Sequence, residues 1–208
     1  MQPTRHPPQN KIPTQTESEG LEKNIPSKWT GKKAWVAILM SDKINFKTKA
    51  IKRNKQGHFI ILIGRIDQEA INIVNIYAPK IGAPKYIRKF LEAFKKDINS
   101  DTIIVGDFNT PLSTTDRSSK PRIDKNIVAL NNMPDKMGLT DIHRAFQPKQ
   151  AKYRLLSNAH GIFSNIDYMI RHKISLNKFK KIEIISSIFL DHNGLKLLTN
   201  PKEKTQKY

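Results

Sequence analysis

Four short clusters in the sequence carry side chains suited to handling a phosphate: Tyr77 in "IYAP", Asp107 and Asn109 in "GDFN", Asp167 in "NIDY", and Asp191 with His192 in "LDHN". Carboxylates hold a hard cation through oxygen, amides and phenols donate to phosphate oxygens, and an imidazole oriented by a carboxylate can move a proton. Together these are the groups that phosphodiester hydrolysis needs. Each cluster also has an innocuous reading: an Asx turn for Asp107 and Asn109, a strand aromatic for Tyr77, a turn acid for Asp167, a surface or core histidine for His192. What those readings leave unexplained is that all four clusters fall at the ends of predicted strands. In "DTIIVGDFNTP" the β-branched run Ile103–Val105 reads as a strand covered on both faces, closed by Gly106. Side chains at i and i+2 of an extended chain share a face, so Asp107 and Asn109 are expected to point together out of its carboxyl end, the edge where layered α/β proteins bind ligands.

The elements that must position these groups follow from periodicity. Trp35–Met40 reads as a strand, and "HFIILIGRI" and "INIVNIYAP" as two more joined by the polar turn "DQEA", an antiparallel meander. "APKYIRKFLEAFKKDINS" changes period: Pro84 stands near the first helical position, and Ile87, Phe90, Leu91, Phe94 and Ile98 form one apolar face. After "TIIVGDFN" come a polar loop, Ser113 to Lys125, and a weaker helix near Asn126 to Met137 that Pro134 is expected to interrupt. "KYRLLS" and "FSNIDYMI" read as a hairpin-like pair around "NAHG", followed by the strands "KIEIIS" and "DHNGLKLLT". The order predicts an α/β fold with two β-sheets packed face to face and helices outside. Residues 1–30, with five scattered prolines, read as a disordered tail, residues 31–199 as the folded domain and residues 200–208 as a basic tail.

Charge narrows the class of partner. The 208 residues hold 37 Lys and Arg against 18 Asp and Glu, a formal net charge of +19 that repels itself unless a polyanion relieves it. Nucleic acid is the expected partner. The absence of cysteine excludes a disulfide scaffold and a thiolate zinc site and fits a reducing compartment. No apolar stretch approaches membrane-spanning length and the N-terminus lacks the apolar core of a signal peptide, so a nuclear or cytoplasmic location without secretion is expected.

From "KKAWVAIL" through "NIYAPKIGAPKYI", "IIVGDFNTPLSTTDRSSK", "SNIDYMI" and "FLDHNGLKL", about Gly31 to Thr199, the sequence resembles the endonuclease domain of LINE-type retrotransposon proteins. These belong to the endonuclease/exonuclease/phosphatase superfamily, alongside apurinic endonucleases and DNase I. The resemblance implies a four-layer DNase I-like α/β sandwich and magnesium-dependent nicking of DNA, in a polyprotein that also carries a reverse transcriptase. By position, Asp107 resembles the acid that orients or deprotonates the attacking water, and Asn109 the amide that holds water and phosphate. Asp167 resembles the carboxylate that fixes the imidazole, His192 the donor to the scissile phosphate oxygen, and Asp191 a group near the metal. Tyr77 resembles the phosphate-binding tyrosine, and Lys80 stands where the family has a second phosphate-binding Asn. The turn with Ser157, Asn158 and His160 matches the hairpin with which the family senses DNA shape.

The departures bear on activity. The family's opening strands, one with an Asn and one with the Glu that is the principal magnesium ligand, have no counterpart before "KKAWVAIL". Glu17, Glu19, Glu22 and Asn24 lie in a Pro-rich stretch with no apolar strand to aim them. Trp35 replaces a small Gly, and Leu190 a Ser. An endonuclease of weak magnesium affinity is therefore one expectation, and a non-catalytic basic nucleic-acid-binding remnant the other.

Overall fold

The computed structural model describes residues 15–17, 36–112, 125–148, 155–157, 162–164, 166–185 and 194–200. Its centre is a seven-stranded sheet built from β1 (Gln15–Glu17), β2 (Phe46–Arg53), β3 (Phe59–Ile66), β4 (Glu69–Tyr77), β5 (Thr102–Asp107), β6 (Leu139–Asp141) and β9 (Asp167–His172). The strand order is β1-β2-β3-β4-β5-β9-β6. Two small antiparallel pairs stand apart from it: β7 (Leu155–Ser157) with β8 (Ile162–Ser164), and β10 (Phe179–Ile185) with β11 (Gly194–Thr199).

The β2-β3-β4 meander forms as expected, but its first member is not the one anticipated. Residues 36–40 are irregular, and Trp35 lies outside the described residues. The segment is tied down by Asn75, whose side-chain amide donates to the Ala37 carbonyl at 2.9 Å. The strand is instead "FKTKAIKR", where exposed Lys47 and Lys49 alternate with half-buried Phe46 and Thr48. Lysines on the solvent face masked a period of two in a segment with few apolar residues. The β3-β4 turn is shorter than "DQEA": only Asp67 and Gln68 reverse the chain, both with positive φ (46° and 74°), while Ile66 already pairs with Glu69. Two consecutive positive φ values are the signature of the two-residue hairpin turn whose twist matches the strands. Gln15–Glu17, inside the segment read as a disordered tail, forms the edge strand on β2.

Helix α1 (Ala83–Ala93) returns the chain from β4 to the parallel strand β5, the crossover a parallel pair requires. It buries Ala83, Ile87, Phe90 and Leu91 against the sheet residues Phe59, Ile61, Val74, Ile76 and Ile104. The rings of Phe59, Phe90 and Phe94 meet at centroid distances of 4.8–5.2 Å. Helix α2 (Lys125–Lys136) adds Leu130 to the same core and runs through Pro134 rather than breaking there. Pro134 falls in the last turn, and the packing of Met133 and Met137 on either side of it outweighs the local cost.

On the opposite face, Ile103 of β5 and Met169 of β9 pack with Phe179, Ile182 and Leu197 of the β10-β11 pair and with Ile142 of α3 (Ile142–Phe146). The arrangement is helices, large sheet, small sheet: the expected α/β class with two packed sheets. Arg171 of β9 is buried at this junction, its guanidinium donating to the Ser100 carbonyl at 3.0 Å and lying 4.8 Å over the Phe179 ring. Burial draws its pKa below the usual arginine value, partly offset by Asp101 and Glu69. "FSNIDYMI" divides: its first residues form β8, while Asp167 opens β9 of the central sheet. Among the described residues, no helix is long and apolar enough to cross a membrane.

Candidate active site

The strand registers assemble a row of functional side chains at one end of the sheet. Tyr77, the last residue of β4, is the parallel partner of Asp107, the last residue of β5. Asp107 is in turn the antiparallel partner of Asp167, the first residue of β9. Cross-strand partners share a face of the sheet, and in an antiparallel pair such as Asp107 and Asp167 the Cβ atoms lie about 4.5–5.5 Å apart. Three residues separated by up to 90 positions, 77 to 167, are thus neighbours because two ladders end at the same level. All three are half-buried, so they border solvent while resting on the core.

Gly106 makes this alignment possible. Its φ is +129°, and a Cβ there would lie 2.0 Å from the Ile76 carbonyl oxygen. Only glycine lets β5 approach β4 in this conformation and bring Asp107 level with Tyr77. The following loop is fixed from several sides. Phe108 is buried against the Tyr168 ring at 5.2 Å, and its N–H donates to the Ile166 carbonyl at 2.7 Å. The Leu112 N–H donates to the Tyr168 hydroxyl at 2.8 Å.

Asn109 reaches the site by a different route from the one its spacing suggests. The strand ends at Asp107, and Asn109 takes a left-handed φ of 47°, so the extended i, i+2 projection does not form. Its N–H donates to Asp107 Oδ1 at 2.7 Å, and its side-chain amide donates to the Ala78 carbonyl at 2.7 Å. The Asx turn and the cluster coexist: the turn orients the Asp107 carboxylate through Oδ1. Lys80 is exposed in the β4-α1 loop, three residues beyond Tyr77. Ser157 closes β7, where it pairs with Ile162. Asp191, His192, Asn158 and His160 lie outside the described residues.

His58, an aromatic neighbour of Tyr77, and Tyr86, which meets His58 in turn, escaped the sequence reading. His58 lies parallel to the Tyr77 ring, with an interplanar angle of 1° and a centroid distance of 6.2 Å, and meets Tyr86 of α1 at 5.5 Å. The Tyr86 hydroxyl is buried with no hydrogen-bond partner among the described residues, and burial pushes its pKa up to about 12, so it is a neutral phenol. The signal for His58 was the turn: a reversal at Asp67–Gln68 alone sets Tyr77 opposite His58, whereas a four-residue "DQEA" turn sets Pro79 there.

Asp107 and Asp167 bring two carboxylate-bearing residues into register, a donor type that suits a hard cation. Among the described residues, however, no group of three or more His, Cys, Asp or Glu gathers to hold a metal ion. The described side chains alone do not constitute a magnesium centre.

No protein-family model matches the sequence. Among solved structures, the chain is similar to the endonuclease domain of TRAS1, a telomere-specific non-LTR retrotransposon, with a TM-score of 0.58 and 15% identity over 79% of this chain and 73% of that one. It is also similar to the 3′ phosphatase NExo from Neisseria bound to a product DNA hairpin (TM-score 0.56, 14% identity, 76% of this chain and 71% of that one). An AP endonuclease from Archaeoglobus fulgidus aligns at TM-score 0.58 and 12% identity, again over 76% of this chain and 71% of that one. The fold is therefore DNase I-like, the fold that the sequence resemblance implied.

Proposed function

We propose that the protein is a DNA-nicking phosphodiester hydrolase of the LINE retrotransposon type, with magnesium as its cation, held weakly. The observation that carries this reading is the register that sets Tyr77, Asp107 and Asp167 in one row at the sheet's end. In it, Tyr77 and Lys80 bind backbone phosphate, Asp107 orients or deprotonates the attacking water, and Asn109 holds the loop that carries Asp107. Asp167 orients the His192 imidazole, which donates to the scissile phosphate oxygen. Most of the rate in such chemistry comes from placing groups and neutralising developing negative charge. Asp191 is the residue assigned to magnesium, and a cation held by so few carboxylates is held weakly. The turn with Ser157, Asn158 and His160 senses DNA shape, and a reverse transcriptase domain in a parent polyprotein would use the nicked end.

Nicking of supercoiled plasmid, followed against magnesium concentration, tests this reading. The unmodified chain is expected to nick slowly and without saturating at low magnesium, and Asp107→Ala to fall at least about 100-fold, the smaller end of what a positioned acid or base contributes. Equal rates for both chains would assign the protein to the non-catalytic, basic DNA-binding alternative.

Both readings share an expectation that follows from the +19 charge. Affinity for duplex DNA should fall roughly 10³-fold or more between about 50 and 200 mM salt if six to ten phosphates are contacted, because each neutralised phosphate releases counterions. Fluorescence anisotropy across that range checks it, and a flat response would remove DNA as the partner.

A further inference from the structure

We infer that His58 is a positioning residue for Tyr77: it fixes the phenol that faces the phosphate without itself touching substrate. This rests on the proposed reading of Tyr77 as a phosphate ligand. The Nδ1 atom of His58 is 2.8 Å from the Tyr77 carbonyl oxygen. A carbonyl only accepts, so Nδ1 carries the proton and donates, which fixes the orientation of the ring. The two rings lie parallel within 1°, with the imidazole offset from the phenol. Tyr86 closes on His58 at 54°, so the imidazole contacts an aromatic ring from β4 and another from α1.

His58 is itself held by the preceding turn. Buried Asn54 accepts through Oδ1 from the His58 N–H at 2.7 Å and from the Phe59 N–H at 3.3 Å. The His58 carbonyl accepts from the Tyr77 N–H at 2.8 Å. A continuous set of contacts therefore runs from Asn54 through His58 to Tyr77, and the ladder carries it on to Asp107. A strand's last residue has little to restrain it on its own, and the hydrogen bond from His58 Nδ1 to the Tyr77 carbonyl provides the restraint.

The test is a double-mutant cycle on the full chain, read as affinity for a short labelled duplex at about 0.15 M salt, where screening trims the contribution of distant charges. Tyr77→Phe is expected to weaken binding roughly 3- to 10-fold, the range of one hydrogen bond. His58→Phe should weaken it by a similar factor, and the double variant by no more than either single one. His58→Asn, whose amide nitrogen can stand where Nδ1 stood, should bind within about twofold of the unmodified chain, whereas His58→Gln, whose amide sits one bond further out, should not. A merely structural role would give additive losses and no difference between Asn and Gln, and either result overturns the inference. Normal binding by His58→Phe beside a weakened Tyr77→Phe would overturn the inference while leaving the proposed function intact. Normal binding by Tyr77→Phe would overturn both this inference and the phosphate role of Tyr77. Circular dichroism follows folding of each variant; should His58→Phe not fold, equal affinities for the Asn and Gln variants overturn the inference.

Discussion

Gly106→Ala is expected to lower stability by about 2–6 kcal/mol, adding the cost of a backbone conformation reserved for glycine to that of forcing atoms into an occupied space. Both costs are visible at one residue. The φ of +129° is one that side chains rarely adopt, and the new Cβ would stand 2.0 Å from the Ile76 carbonyl oxygen, a backbone atom that cannot swing aside. Against the roughly 5–15 kcal/mol that typically separates a folded domain from its unfolded chain, such a loss is severe. Urea denaturation of the two chains measures it. Gly82→Ala is the control: its φ is +78°, but none of the described residues lies within 4 Å of the added Cβ, so the loss there should be about 1–2 kcal/mol. Equal losses at the two sites would mean that close approach between β4 and β5 does not limit the fold.

Phe90→Ala is expected to cost about 3–5 kcal/mol, through lost burial and the cavity left behind. Phe90 is 1% exposed and touches the rings of both Phe59 and Phe94, so the substitution removes a large part of the contact that joins α1 to the sheet. The crossover from β4 to β5 depends on that contact, and the level at which Tyr77 meets Asp107 depends on the crossover. Phe146→Ala serves as the comparison, because Phe146 is 36% exposed and its removal should change stability by less than about 1 kcal/mol. Thermal unfolding of the two variants under one set of conditions separates them, and similar midpoints would contradict the core assignment.

The sequence by itself determined the elements whose own residues specify them. The continuous β-branched and apolar runs of β3, β4 and β5 read as strands, and the change of period at Ala83 reads as a helix, because burial on a fixed face imposes a fixed spacing. It also determined the candidate chemistry, since short polar side chains at the ends of such runs are informative without knowing what they meet. Strand β2 was not legible in the same way: its lysines face solvent, and its membership of the sheet comes from pairing with β3 rather than from its own pattern.

Tertiary structure alone decided which chemistry-bearing residues are neighbours. Register is a relation between two strands, and a turn shorter by two residues moves every partner, which is why His58 and not Pro79 stands opposite Tyr77. The left-handed Asn109 was likewise decided outside its own spacing, by the Ala78 carbonyl just beyond β4 and by Phe108 anchored in the core beneath it. Pro134 remains helical because Leu130, Met133 and Met137 bury against the sheet, a gain that local propensity does not contain. In each case the deciding contact lies far along the chain, and its free energy exceeds the local preference that the residue type alone expresses.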